Sequence, residues 1–253
     1  MKYAVYSKEP LKEEIMIKLK GKLDYQNPDF VFSFGGDGTM LNAVNQYIDN
    51  TDKTIFIGIN TGKLGFYTDY ALEELDSIID SINKGEVFCH EFSLLEYSLI
   101  KNNQVKKGYA LNEVAITNPI HTQIIEVYIN EKMFETFRGT GLLVSTPSGS
   151  TGYNKSLGGS VMDCSLEAIQ LTEIAAINNR VFKSLASPLI IPSNNKVSMI
   201  SHDSDNIYIS VDGRYEEFSD VEKIEVMFSN KKVKMLGSKN YSFYNRVKKS
   251  FIE

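Results

Sequence analysis

Short apolar runs and helical stripes alternate along the first third of the chain. Residues 3–6 read as a strand, and Leu11, Ile15 and Leu19 then fall four apart, one face of an amphipathic helix. Pro28 precedes an apolar run at 30–34, a buried strand by pattern, which ends in Gly35-Gly36-Asp37-Gly38-Thr39. Met40, Leu41, Val44, Tyr47 and Ile48 follow at helical spacing. Residues 55–59 form another continuous apolar run, and Leu72, Leu75, Ile78, Ile79 and Ile82 mark another helix face. Strand and helix in alternation predict a mostly parallel sheet, covered on both faces, with ligands at the carboxyl ends of its strands. Both glycine-rich segments stand at such ends.

The pattern changes near residue 87. Period-two patches such as 96–100 are separated by turn formers, Lys101-Asn102-Asn103 among them. Leu166, Ile169, Ile174 and Ile177 predict a helix over 164–179. Strands return beyond Pro192, at 197–200, 207–211 and 224–228. Asp212-Gly213 predicts a hairpin turn, because this pair tolerates positive φ at both central positions. The expected division is an α/β domain followed by a β-rich domain.

Composition narrows the function. A formal charge of −5 over 253 residues excludes a dedicated nucleic-acid binder, which needs a basic surface to displace counterions. Anionic small ligands stay open, since backbone amides with one or two local cations hold phosphate on an acidic protein. The two cysteines, Cys89 and Cys164, lie at no metal or redox spacing and read as reduced thiols. No run approaches the ~20 apolar residues of a membrane helix, so the expectation is a cytoplasmic protein with no membrane partner. His90, His121 and His202 are too scattered for a metal or catalytic constellation, and Arg246, Lys248 and Lys249 read as a solvated face.

Four segments could carry chemistry. At 35–39, glycines let a ligand approach the backbone, and the start of a helix offers unpaired N–H groups to a phosphate. A carboxylate there repels phosphate, so Asp37 makes sense as a partner for a hydroxyl or a magnesium ion. The competing reading is a strand-to-helix turn with an aspartate cap. No Walker pattern and no dinucleotide fingerprint is present. At 60–68, Phe66 and Tyr67 offer flat surfaces for a base, although paired aromatics are more often core. Asn112-Glu113 could clamp vicinal ribose hydroxyls. Residues 138–159 crowd Ser145, Thr146, Ser148, Ser150, Thr151, Tyr153 and Ser156 into a glycine-punctuated stretch flanked by core, which suits an organised binding loop.

Together these segments resemble the NAD kinase family. Gly-Gly-Asp-Gly-Thr at 35–39, Asn-Thr-Gly-x-Leu-Gly-Phe at 60–66, Leu-Asn-Glu at 111–113 and Ser-Thr-Pro-Ser-Gly-Ser-Thr-Gly-Tyr at 145–153 occur in the family's order. The first motif is shared with diacylglycerol, sphingosine and phosphofructokinase families; the fourth is specific. Asn-Lys-Ser-Leu-Gly-Gly at 154–159 and Ile-Asn-Asn-Arg at 177–180 are similar to the Gram-positive bacterial form.

The resemblance implies a Rossmann-like α/β domain at 1–90, rejoined by 235–253, and a β-rich, sandwich-like NAD-binding domain at 91–234. It implies ATP with Mg2+ or another divalent cation as donor, NAD as acceptor, and a homotetramer or homodimer. Asp37 becomes the general base on the 2′-hydroxyl of the adenosine ribose, with Gly38 beside it and Asn112 and Glu113 holding that ribose. Gly35, Gly36, Gly38 and Thr39 would face the phosphate donor. Phe66 and Tyr67 would line the NAD pocket, with Ser148 and Ala175 as further walls. The loop residues Thr151, Gly152, Tyr153, Asn154, Lys155 and Ser156 would join them, and Arg138 matches a basic position near the dinucleotide. Two positions depart from the family. Thr140 stands where an aspartate is usual, in Gly139-Thr140-Gly141, and Gly152 stands where alanine is usual. The missing carboxylate removes one expected polar contact to the dinucleotide.

Overall fold

The computed structural model describes residues 1–19, 21–62, 65–202, 207–217, 221–237 and 241–253. Lys63 and Leu64, inside the expected binding segment 60–68, lie outside the described residues. The chain forms two compact units, Met1–Phe92 with Lys231–Glu253, and Ser93–Asn230. Two strands, Cys89–Lys101 and Lys223–Leu236, carry the chain from one unit to the other.

The first unit is built on parallel strands. Lys22–Leu23, Lys2–Ser7, Phe30–Phe34, Ile55–Asn60 and the end of Lys223–Leu236 lie side by side in that order. Strands covered on both faces need apolar side chains pointing both ways, which is why 30–34 and 55–59 read as continuous runs rather than alternating ones. Helix Leu75–Asn83 buries Leu75, Ile78, Ile79 and Ile82 against Phe32, Phe34, Ile57 and Ile59, the i, i+3, i+4, i+7 stripe its sequence predicts. Helix Asp37–Gln46 buries Met40, Ala43 and Val44. The first predicted helix is short, Glu13–Lys18, and contains no fully buried residue; Leu19, just past its end, is the one that enters the core. Leu236 joins the same core from the far end of the sequence.

The second unit holds antiparallel strands in two layers. One layer includes Lys132–Gly139, Gln123–Ile129, Lys196–Ser201 and Lys223–Leu236. The other runs Leu189–Pro192, Ala168–Ile174, Gly141–Ser145, Glu113–Thr117, Tyr208–Val211, Arg214–Glu217. Val114 and Ile116, Leu142 and Val144, and Ile169 and Leu171 bury into one core with Ile125, Val127, Val197 and Met199 of the facing layer. Alternate residues Ala115 and Leu143 belong to a separate cluster with Ile174, as the two-residue period of a strand requires.

One element departs from its pattern. The helix predicted over 164–179 is the strand Ala168–Ile174, paired with Gly141–Ser145 from Gly141↔Ile174 to Ser145↔Gln170. The apolar positions 166, 169, 174 and 177 fit a helical wheel. Burial instead selects Ile169 and Leu171, two apart, with Gln170 between them bonded to Ser160. Two neighbouring strands supply more apolar contact than a lone amphipathic turn, and tertiary packing overrides the local period. The Asp212-Gly213 turn is as predicted, with φ of 51° and 71° at the end of the Tyr208–Val211 hairpin. No helix of the described residues is long and apolar enough to cross a membrane, which leaves β-barrel spans unaddressed.

Candidate functional site

The first group of residues sits at the carboxyl ends of two adjacent parallel strands. Phe30–Phe34 runs into Gly35 and Gly36, the Gly35 N–H donates to the Ile59 carbonyl at 2.9 Å, and helix Asp37–Gln46 begins at once. Gly35 is required by packing, because a Cβ there would lie 2.3 Å from Thr39 Oγ1. Gly36 and Gly38 differ: a Cβ on either would meet nothing within 4 Å. Beside Gly35 and Gly36 opens a cavity of ≈ 490 Å³, lined by Ser7, Lys8, Glu9, Lys12, Thr39 and Thr61 among others.

Asp37 is not a simple helix cap. Its Oδ2 accepts the Phe66 N–H and its Oδ1 the Tyr67 N–H, each at 2.8 Å. One carboxylate thus ties the 35–39 turn to the loop after the next strand. Each oxygen keeps a lone pair beyond that bond. A Cβ at Gly65 would fall 2.2 Å from Asp37 Oδ1, and one at Gly58 would strike the Tyr67 carbonyl at 2.0 Å. Glycine at both places lets the loop lie flat on its strand and reach the carboxylate. The two aromatics part ways. The Tyr67 ring is buried edge-on to Phe92, with centroids 5.5 Å apart, while the half-buried Phe66 stacks on Phe251 at 5.5 Å and 30°.

Arg246, read from sequence as part of a solvated face, is instead inserted under this loop. Its side chain is 10% exposed; it pairs with Asp69 and donates to the Gly65 carbonyl at 2.6 Å. Burial draws the guanidinium below its ordinary range, and the Asp37 charge pulls it back up.

A second group lies in the β-rich unit. Leu111, Asn112 and Glu113 turn into the strand Glu113–Thr117, and their three N–H groups all point at the carboxylate of Asp212, at 2.8, 2.7 and 3.2 Å. Burial pushes Asp212 upward, and these three donors with Arg214 pull against it. Glu113 is 5% exposed, and its Oε2 has no hydrogen-bond partner among the described residues. Burial, with the Asp212 charge nearby, lifts its carboxyl to about 8.

The hydroxyl-rich loop packs over Asn112 and Glu113. Thr146 Oγ1 donates to the Leu111 carbonyl at 2.7 Å and accepts the Gly149 N–H at 2.9 Å, while the Thr146 N–H reaches the Asn112 carbonyl. Ser148 Oγ lies 3.1 Å from Thr146 Oγ1, Ser150 Oγ bonds Pro147 and Met162, and Thr151 Oγ1 bonds the Ser148 carbonyl. Most of these hydroxyls are spent inside the loop, where they fix its shape. Asn154 is fully buried, accepting from Thr172 Oγ1 at 2.6 Å, whereas Tyr153, Lys155 and Ser156 are exposed along the same turn. A Cβ at Gly152 would sit 3.4 Å from Asn112 Nδ2 and 3.7 Å from Glu113 Oε2, so the family's alanine would be in ordinary contact here.

Arg138, Thr140 and Ala175 form a third cluster in that unit. The Thr140 N–H donates to the Ile174 carbonyl and the Ile177 N–H to the Arg138 carbonyl, while Arg138 stacks over Phe182 at 4.5 Å. Gly139 and Gly141 would each drive a Cβ into backbone, at Ala175 and Ile116 respectively, so both flank Thr140 for reasons of packing. Sequence reasoning did not find Asp212 or Arg246. Asp212 is disguised as an ordinary turn former, and nothing in the charge pattern around Arg246 separates it from its lysine neighbours.

Glycines with room for a ligand, at the carboxyl ends of a parallel sheet and at a helix start, suit a phosphate-binding site of α/β type. Comparison with known proteins makes this specific. Sequence models of the ATP-NAD kinase N-terminal and C-terminal domains match residues 7–87 and 111–238. An NAD kinase of Streptococcus pneumoniae is 40% identical, covering 98% of this chain and 94% of its own. Yeast NADH kinase complexed with NADH superposes with a TM-score of 0.84 at 19% identity, over 98% of this chain and 86% of that one. An NAD kinase from Archaeoglobus fulgidus in complex with ATP gives 0.77 at 23% identity, over 98% and 99%. The chain belongs to the NAD kinase family, and its activity is ATP-dependent phosphorylation of the 2′-hydroxyl on the adenosine ribose of NAD, giving NADP.

Proposed function

We propose that Asp37 is the group that handles the acceptor hydroxyl. A sugar hydroxyl is far less acidic than a carboxylic acid, so Asp37 does not ionise it in advance. It accepts the hydroxyl's hydrogen bond through a lone pair left free by Phe66 and Tyr67, and so aims the oxygen. As the O2′–P bond forms and the bond from the γ-phosphorus to the leaving ADP oxygen breaks, the hydroxyl becomes acidic and its proton passes to Asp37. The transition state is loose, so positioning and charge stabilisation do most of the work. The observation that carries this reading is the fixed direction of the carboxylate, held through both oxygens at 2.8 Å.

Asn112 and Glu113 take the adenosine ribose in this reading, supported by the unpartnered buried oxygen of Glu113. The β-rich unit is then the NAD-binding domain and the α/β unit the one that carries phosphoryl transfer. The cavity beside Gly35 and Gly36 takes the triphosphate, supported by Lys8, Lys12 and the helix start, with Glu9 also on its wall. The divalent ion comes as part of the Mg–ATP substrate. A homotetramer or homodimer in the cytoplasm completes the proposal, on family resemblance.

Asp37→Asn tests it. Loss of the base should lower kcat for NADP formation by roughly 10²–10⁴. One of the two backbone N–H groups would also face an NH2 instead of an oxygen, so stability should fall by about 1 kcal/mol. KM for NAD should move less than about tenfold, since Asn112, Glu113 and the 145–156 loop remain. An intact kcat with collapsed NAD binding would make Asp37 a binding residue only.

A further inference from the structure

The loop that holds Asp37 is itself held, from an element the sequence reading set aside. Helix Phe243–Phe251 is capped by Ser242, whose Oγ accepts the Asn245 N–H at 3.4 Å, and Arg246 lies in its first turn. The guanidinium reaches the Gly65 carbonyl at 2.6 Å, the Thr68 carbonyl at 3.5 Å and the Asp69 carboxylate. Its Cζ also lies 5.8 Å from the centre of the Tyr241 ring. At the other end of the helix Phe251 stacks on Phe66. The fork geometry matters: one rigid cation grips both sides of the turn whose two intervening N–H groups, Phe66 and Tyr67, are the donors to Asp37.

We propose that Arg246 is a positioning residue for phosphoryl transfer, acting through the Gly65–Asp69 turn to set the direction of the Asp37 carboxylate. The proposal rests on the reading of Asp37 as the group that orients the acceptor hydroxyl. Arg246 touches no reacting atom in this scheme. Its backbone-gripping bonds prevent the turn from rocking, and a rocking turn would carry both N–H groups, and with them the free lone pairs of Asp37, off the line of attack. Misplacement of a reacting group by about 1 Å costs up to roughly 10²-fold in rate.

The experiment is a double-mutant cycle on the full chain, with Arg246→Ala and Asp37→Asn alone and together, reading kcat and KM for NAD. Arg246→Ala should lower kcat roughly 10- to 100-fold with KM for NAD within about threefold. In the Asp37→Asn background it should lower kcat less than about threefold, because the carboxylate it positions is gone. Ethylguanidinium should restore part of the Arg246→Ala rate, and sodium chloride at equal ionic strength should not. Arg246→Lys keeps the charge without the fork; it should keep its fold and lose most of the same rate, which serves if the alanine variant fails to fold. Equal losses from Arg246→Ala in both backgrounds would mark a merely structural residue and overturn the proposal. A crippled Asp37→Asn enzyme beside an Arg246→Ala enzyme of undiminished kcat would overturn this proposal alone. An undiminished kcat in Asp37→Asn would overturn the Asp37 reading and this one with it.

Discussion

Glu113 is a carboxyl group kept from water with one oxygen unpaired, and its proton is the cheapest partner available. Its ordinary value of 4.5 becomes about 8 in the folded protein, so folding favours the protonated form. That contribution to stability is fully present below the unfolded value and is lost as pH rises through the folded one. The expected outcome is a decline in unfolding free energy between pH 5 and pH 8 that Glu113→Gln flattens. Urea denaturation of both proteins at the two pH values checks it. Asp37 and Glu113 were singled out from sequence, Asp37 by its glycine-rich turn after a strand and Glu113 through the family resemblance. Their restraints were not. Asp212 bonds three N–H groups about a hundred positions away, and no window of sequence records such a pairing.

Among elements, the parallel strands and their helices followed the apolar pattern because a sheet buried on both faces and a one-sided helix have different periods. The strand Ala168–Ile174 did not, because its partners, not its own spacing, decide its state. The loop at 145–156 was singled out for its hydroxyls, and once folded these are mostly internal struts. Thr146 shows how much each one holds. Thr146→Val keeps the shape, yet leaves the buried Gly149 N–H without its partner and the Leu111 carbonyl with only the longer Ser148 Oγ bond at 3.4 Å. An orphaned group costs about 1–3 kcal/mol, and a loss in that range is expected in equilibrium unfolding. KM for NAD should rise as well, because Leu111 and the loop frame Asn112 and Glu113.

At the scale of the molecule, the α/β unit is assembled from two distant stretches, Met1–Phe92 and Lys231–Glu253. Lys234 and Met235 pair with Ile55 and Phe56, and Leu236 fills the same core as Ile57 and Ile59. Leu236→Ala should therefore cost about 2–5 kcal/mol. Hydrogen exchange should report the loss in Phe30–Phe34 and Ile55–Asn60, far from the substitution in sequence. Slow exchange unchanged in those strands would mean that the late strand is an ornament on a self-sufficient sheet.

The same split has a consequence during synthesis. The strand Ile55–Asn60 leaves the ribosome with its outer edge unpaired by Lys234 and Met235, and the whole β-rich unit must be translated before they arrive. At about 5–20 residues per second that interval is on the order of ten to thirty seconds. Throughout it the nascent chain presents an apolar, hydrogen-bond-hungry strand edge to its surroundings, the kind of edge that other chains readily join. Arg246 emerges later still. The α/β unit is thus encoded first and finished last, and during synthesis it carries a strand edge that the finished sheet covers.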